Sequence, residues 1–238
     1  LMVMKKEFGE EQMRKFLRYE LRSYLTGRSL ESKKEKPLEL VEGQGYIHYR
    51  KGSVVMYALQ DYVGENKVNA AYRKYLNDWR VENGKYPSTA DFMPYLYEVT
   101  PDSLQYLLTD MFETITLFEN KVEEATYTAL DNGKYEVTMK LSAEKMRADS
   151  LGNETVIPIN DWVDVGIFKE DKDDDEGDSV RFPLYLKKHK ITGKETEFTF
   201  VVDTIPANVG FDPYNKLIDR HSSDNVLGVD EKEADEAL

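Results

Sequence analysis

The chain contains no cysteine, which excludes disulfides and thiolate metal sites but leaves the redox compartment open. Histidine is scarce: only His48, His189 and His221 occur in 238 residues. No two of them stand four apart and no H-E-x-x-H is present, so the chain lacks a zinc helix of its own. It also lacks a nucleophile elbow G-x-S-x-G, a P-loop and a G-x-G-x-x-G. No segment approaches the ~18–20 apolar residues of a membrane-spanning helix, so the chain reads as soluble. Positive charge is outweighed, with 32 Lys and Arg against 45 Asp and Glu and a net charge of −13. The excess is uneven, because residues 121–238 hold 15 basic against 27 acidic groups. Segments 169–178 and 224–238 each contribute −5. Such a surface repels a phosphate backbone, and no basic stripe interleaved with aromatics offsets it, so nucleic acid is not an expected partner.

What is present argues for a packed protein. Hydrophobic residues reach 40% and aromatics 12%, with 16 tyrosines, which rules against collagen and full disorder. The first half carries helical periodicity. Met13, Phe16, Leu17, Leu21 and Leu25 recur at steps of three and four, and Gly27 follows as a stop. Residues 28–42 are polar and read as an exposed connection with little core. A second helix is predicted over about 52–62 on Val55, Leu59 and Tyr62, and Gly64 ends it. A third is predicted over 67–79 through Val68, Ala71, Tyr72 and Tyr75, with a turn at Asn83-Gly84. Pro87-Ser88-Thr89 offers an N-cap for a short helix, and Thr100-Pro101 offers a cap and first position for a last one through Leu104, Leu107, Leu108 and Met111.

Near residue 117 the period changes to two. Segments 121–130 and 134–141 alternate polar and apolar across Asp131-Asn132-Gly133, a strong hairpin signal. Further strands are predicted at 154–159, 162–168, 180–187 and 197–203. The expectation is an α+β, multidomain chain: a helical bundle over 1–117, an antiparallel β-sandwich over 118–221, and an acidic, disordered tail over 222–238.

Two segments invite a chemical reading. The run Asp171–Gly177 places carboxylates at alternate positions, but its turn glycine falls one place late and Phe182 stands where a bidentate Glu belongs. A solvated hairpin loop is the simpler reading of 170–178. The second segment is Gly45–Gly52, where Tyr49 stands immediately before a Lys-Gly that opens an amphipathic helix. A phenol there lies near a helix N-terminus, where donors and the dipole favour developing negative charge, and Gly52 permits close backbone approach. As bare pattern this is weak, and a structural tyrosine is the better reading.

Tyr49-Arg50-Lys51-Gly52, followed by Ser53-Val54-Val55-Met56 and then Gly64-Glu65, resembles the Y-x-K-G helix of aminopeptidase N-like zinc peptidases, the gluzincins. In that family further helices and a β-sandwich follow, as they are expected to here. The segment Asp212-Pro213-Tyr214-Asn215-Lys216-Leu217-Ile218-Asp219-Arg220 looks like the close of a bacterial branch fused to a multi-span transporter-permease region. The resemblance implies that Tyr49 stabilises the oxyanion of the tetrahedral intermediate, with Arg50, Lys51 and Gly52 positional. It implies a peptide substrate, and zinc in a parent protein whose ligands, general-base Glu and amine-binding motif precede this chain. The chain alone would then bind no catalytic zinc, and membrane association would come only through segments outside it. A non-catalytic peptidase-like module for binding or assembly is the alternative, and an unrelated α-plus-β binding domain with Tyr49 in its core is a third.

Overall fold

The computed structural model describes residues 2–9, 12–80, 86–170 and 182–232. Helices come first: α1 (Met2–Phe8), α2 (Met13–Ser29), α3 (Gly52–Val63), α4 (Glu65–Asp78) and α5 (Thr89–Val99). A π-helical turn, Tyr46–Lys51, runs directly into α3. Strands follow: β1 (Ile115–Ala129), β2 (Tyr135–Ala148), β3 (Glu154–Ile157), β4 (Asp161–Phe168), β5 (Pro183–Ile191), β6 (Glu195–Val202), β7 (Asn208–Phe211), β8 (Val226–Gly228) and β9 (Asp230–Glu231). The chain is thus a mixed α and β protein with two mostly antiparallel sheets. One runs β3-β2-β1-β9 with β6 also on β2, and the other runs β5-β4-β7-β8. No helix among the described residues is long and apolar enough to cross a membrane.

The long β1–β2 hairpin is the hinge of the architecture. Gly133 takes φ 78° in the predicted turn, and Leu130 N–H donates to Lys134 O to close it. Successive side chains on β1 point to opposite faces, so Leu117 and Phe118 enter different cores. Leu117, with Ile115, Met146 and Ala148, joins the helical cluster built on Leu17, Leu21, Val54 and Leu59. Phe118 belongs to a second cluster that draws Val137 and Met139 from one sheet and Val163, Val165 and Val209 from the other.

Several local expectations are revised. Gly27 does not stop α2, which continues to Ser29; a Cβ there would lie 2.3 Å from Tyr46 Cβ, so the glycine makes room for the turn that carries Tyr49. Residues 28–42 are not free of core: Leu38 is buried, and buried Glu35 accepts from Tyr24 Oη at 2.6 Å and Arg28 Nε at 2.8 Å. Ser88 does cap α5, in a box with Asp91. Thr100, however, ends α5 by donating its hydroxyl to Leu96 O, and residues 102–113 form short 3-10, α and π turns instead of one helix. The start of the expected tail is also ordered. Val122 N–H donates to Asp224 O and Phe211 N–H to Asn225 O, so residues 224–231 add β8 and β9 to the two sheets. The Asn83-Gly84 turn, the acidic run 171–178, the first residues of the strand expected at 180–187 and the tail beyond 232 lie outside the described residues.

Candidate functional site

The helical run containing Tyr49 begins a turn earlier than the sequence pattern predicts. Gln44 O accepts from both Ile47 N–H and His48 N–H and so closes the first turn, and Tyr46–Lys51 then runs as a π-helix into α3. Such wide turns are uncommon and recur at functional sites. Residues four apart on this turn face the core, and those between them face outward. Ile47 and Lys51 point into the core, whereas Tyr49 is 69% exposed. Its hydroxyl makes no hydrogen bond among the described residues; its ring meets His48 at 4.2 Å between centroids.

The other motif residues anchor this turn. Arg50 Nη1 donates to Glu20 Oε2 at 3.1 Å, and its guanidinium lies 5.3 Å from the Tyr19 ring centroid, tying the turn to α2. Lys51 is 1% exposed, with Nζ 3.4 Å from Thr114 O at the threshold of β1 and 5.8 Å from the Tyr24 ring centroid. Gly52 is less constrained than the motif reading expects: a Cβ there would meet Ile47 O and Leu38 Cδ1 at an ordinary 3.7 Å.

Burial pulls the Lys51 ammonium down to about 8, with Glu35 opposing and Arg28 reinforcing the effect. The folded value lies below the unfolded one, so between pH 8 and 10.5 the unfolded chain holds the extra proton. Stability from this group therefore rises through that window and is complete above it; the full shift is worth roughly 3 kcal/mol. Lys51→Met is expected to lose that rise. Denaturant unfolding at pH 7.5 and 10.5 reads it as the difference between the two proteins, since tyrosines titrate near the upper limit in both. Parallel pH curves would remove Lys51 as its source.

Tyr49 lines a groove of about 330 Å³ between the outer faces of α3 and α4. Ser53, Met56, Tyr57 and Gln60 continue the wall along α3, and Glu65, Val68, Asn69 and Tyr72 face them from α4. The histidines do not converge on it as a set. His48 lines it, His189 shares a 2.7 Å hydrogen bond with Tyr185 Oη, and His221 Nδ1 lies 2.6 Å from Glu119. Among the described residues no three His, Asp or Glu side chains are grouped to hold a metal ion.

Sequence reasoning did not single out Gln60, although positions 49, 53, 56 and 60 follow helical spacing. The apolar stripe on Val55 and Leu59 marks the core face and draws attention away from it. Nor did it find the buried ions that fix α3. Lys216 Nζ lies 2.8 Å from both Asp61 at the end of α3 and Asp164 in β4. Tyr62 Oη donates to Trp162 O at 2.6 Å, adding a second tie between helix and strand. No family model matches the chain, and no curated protein matches it.

Proposed function

We propose that this chain supplies the oxyanion donor of an aminopeptidase N-like zinc peptidase, with Tyr49 donating its hydroxyl to the scissile carbonyl oxygen as negative charge develops there. The observation that carries this reading is the placement of Tyr49. Its phenol is exposed on a turn whose neighbours Ile47 and Lys51 are buried, it lines a groove, and its hydroxyl is unengaged. A phenol is a donor at neutral pH, so it can stabilise an oxyanion without first gaining a proton.

On this reading, as the family resemblance implies, zinc, the general-base Glu and the group that holds the substrate's amine belong to a segment outside this chain. No step of the reaction is assigned to metal-ligating residues of this chain. The reading takes 1–117 as the helical second half of a gluzincin catalytic domain and 118–221 as an antiparallel β-sandwich. The core shared by the two sheets supports the latter. The substrate is a peptide, and any attachment to a bacterial membrane, beside a transporter-permease region, comes from outside this chain. The test is to remove one oxygen atom, by Tyr49→Phe in the longer protein, and follow hydrolysis of a peptide anilide. Undiminished turnover would take Tyr49 out of the reaction.

A further inference from the structure

The α3–α4 groove holds one feature that its use as a passive wall does not explain. Gln60 is 6% exposed, and its Nε2 is enclosed without a hydrogen-bond partner among the described residues. A buried amide nitrogen left unpaired carries its full desolvation penalty, so a position of this kind is stabilised when something pairs with it. The terminal torsion of glutamine is soft, and either end of the carboxamide can turn toward the groove. A carboxamide offers one donor group and one acceptor, which complements a peptide group.

The rest of the lining narrows the ligand. Met56, Val68 and the rings of Tyr57 and Tyr72 give an apolar surface, Glu65 is the single carboxylate, and no Lys or Arg is among the lining residues. An anionic ligand finds no counter-charge there. The volume of about 330 Å³ sits at the low end for ligand sites, enough for one apolar side chain and its flanking peptide groups. Position supplies the last constraint. Tyr49 and Gln60 lie at opposite ends of one helical stripe, on the order of 16 Å apart at 1.5 Å per residue. An extended peptide covers that span in about five residues.

We infer that the groove is a distal peptide subsite: Gln60 pairs with a backbone amide of the substrate about four to five residues beyond the bond at Tyr49, and an apolar side chain packs against Met56 and Tyr72. This rests on the peptidase reading for its direction, since an enzyme that removes the amino-terminal residue extends its substrate only toward the carboxyl end. The binding itself needs no catalysis.

The experiment titrates this chain with a blocked pentapeptide carrying one central Phe, followed by amide chemical shifts. Saturable binding is expected, with shifts mapping to α3 and α4. Gln60→Met, which keeps the side-chain length and removes the amide, should weaken it about tenfold. Ser53→Trp, which fills the groove, should abolish it. Unaltered amide spectra away from the substitution show that each variant is folded. No saturable binding by the unsubstituted chain, or equal binding by both variants, would overturn the subsite. Its failure is separable from that of the oxyanion role. If the pentapeptide does not bind here but Tyr49→Phe abolishes turnover in the longer protein, only the subsite falls. If it binds and Tyr49→Phe turns over normally, the subsite stands and the oxyanion role falls.

Discussion

If Tyr49 is the oxyanion donor proposed above, Tyr49→Phe in the longer protein is expected to lower kcat by about 100-fold or more with the zinc content unchanged. The magnitude follows from what the hydroxyl does at each stage. A neutral carbonyl in the ground state gains little from one more donor, whereas a donor positioned on a developing oxyanion typically contributes roughly 3–4 kcal/mol. The loss therefore falls on kcat and on kcat/KM alike, with little change in KM. Phenylalanine preserves the ring and its contact with His48, so the turn Tyr46–Lys51 keeps its anchors at Ile47, Arg50 and Lys51. A rise in KM alone, or a fall in kcat accompanied by zinc loss, would point to distortion of the site instead.

The second large effect concerns how α3 is held. Lys216→Met is expected to destabilise the protein by about 3–5 kcal/mol, because removing one partner from a buried ionic cluster leaves the others uncompensated. Lys216 bridges Asp61 and Asp164, and its backbone N–H donates to Asp212 Oδ1 at 3.0 Å. Burial already lifts the Asp212 carboxyl to about 8, so the loop beside Lys216 tolerates charge poorly. After substitution Lys188 is the one remaining cation paired with Asp61 and Asp164 among the described residues. Burial raises the Asp61 carboxyl, but Lys216 and Lys188 outweigh it and hold it below its usual range, so without Lys216 it takes up a proton more readily in the folded protein than it does in the wild type. The penalty of the substitution should shrink as pH falls from 7 to 5. Chemical denaturation at the two pH values measures both effects. The exposed pair Lys74–Glu98 is the control, and Lys74→Met there should cost far less. Equal costs at the two lysines would show that burial does not set the strength of the Asp61–Lys216–Asp164 cluster.

What the sequence discloses follows the range of the interactions involved. The β1–β2 hairpin is legible because alternation and Asp131-Asn132-Gly133 are both local. The cap at Ser88 is legible for the same reason. Gly27 is misleading, since glycine serves equally as a helix stop and as space for a neighbour, and only the position of Tyr46 decides between them. Thr100-Pro101 has the spacing of a helix start, but the Thr100 hydroxyl bonds backward to Leu96 O and closes the preceding helix. The ion cluster is illegible because Asp61, Asp164 and Lys216 come from three distant segments. At the site, the Y-x-K-G pattern picks out Tyr49, yet nothing local distinguishes its exposed phenol from the buried one of Tyr57, eight residues on. The winding of Tyr46–Lys51 makes that distinction, and it depends on Gln44 O and the anchors on α2 and at Thr114.

The most direct test of the oxyanion role is the affinity of the intact protein for a phosphonate peptide analogue, whose charged oxygen imitates the tetrahedral intermediate, in wild type and Tyr49→Phe. The account predicts a loss of about 100-fold for the phosphonate, with the matching uncleaved peptide bound almost equally by both. Equal affinity of the two proteins for the phosphonate would contradict it.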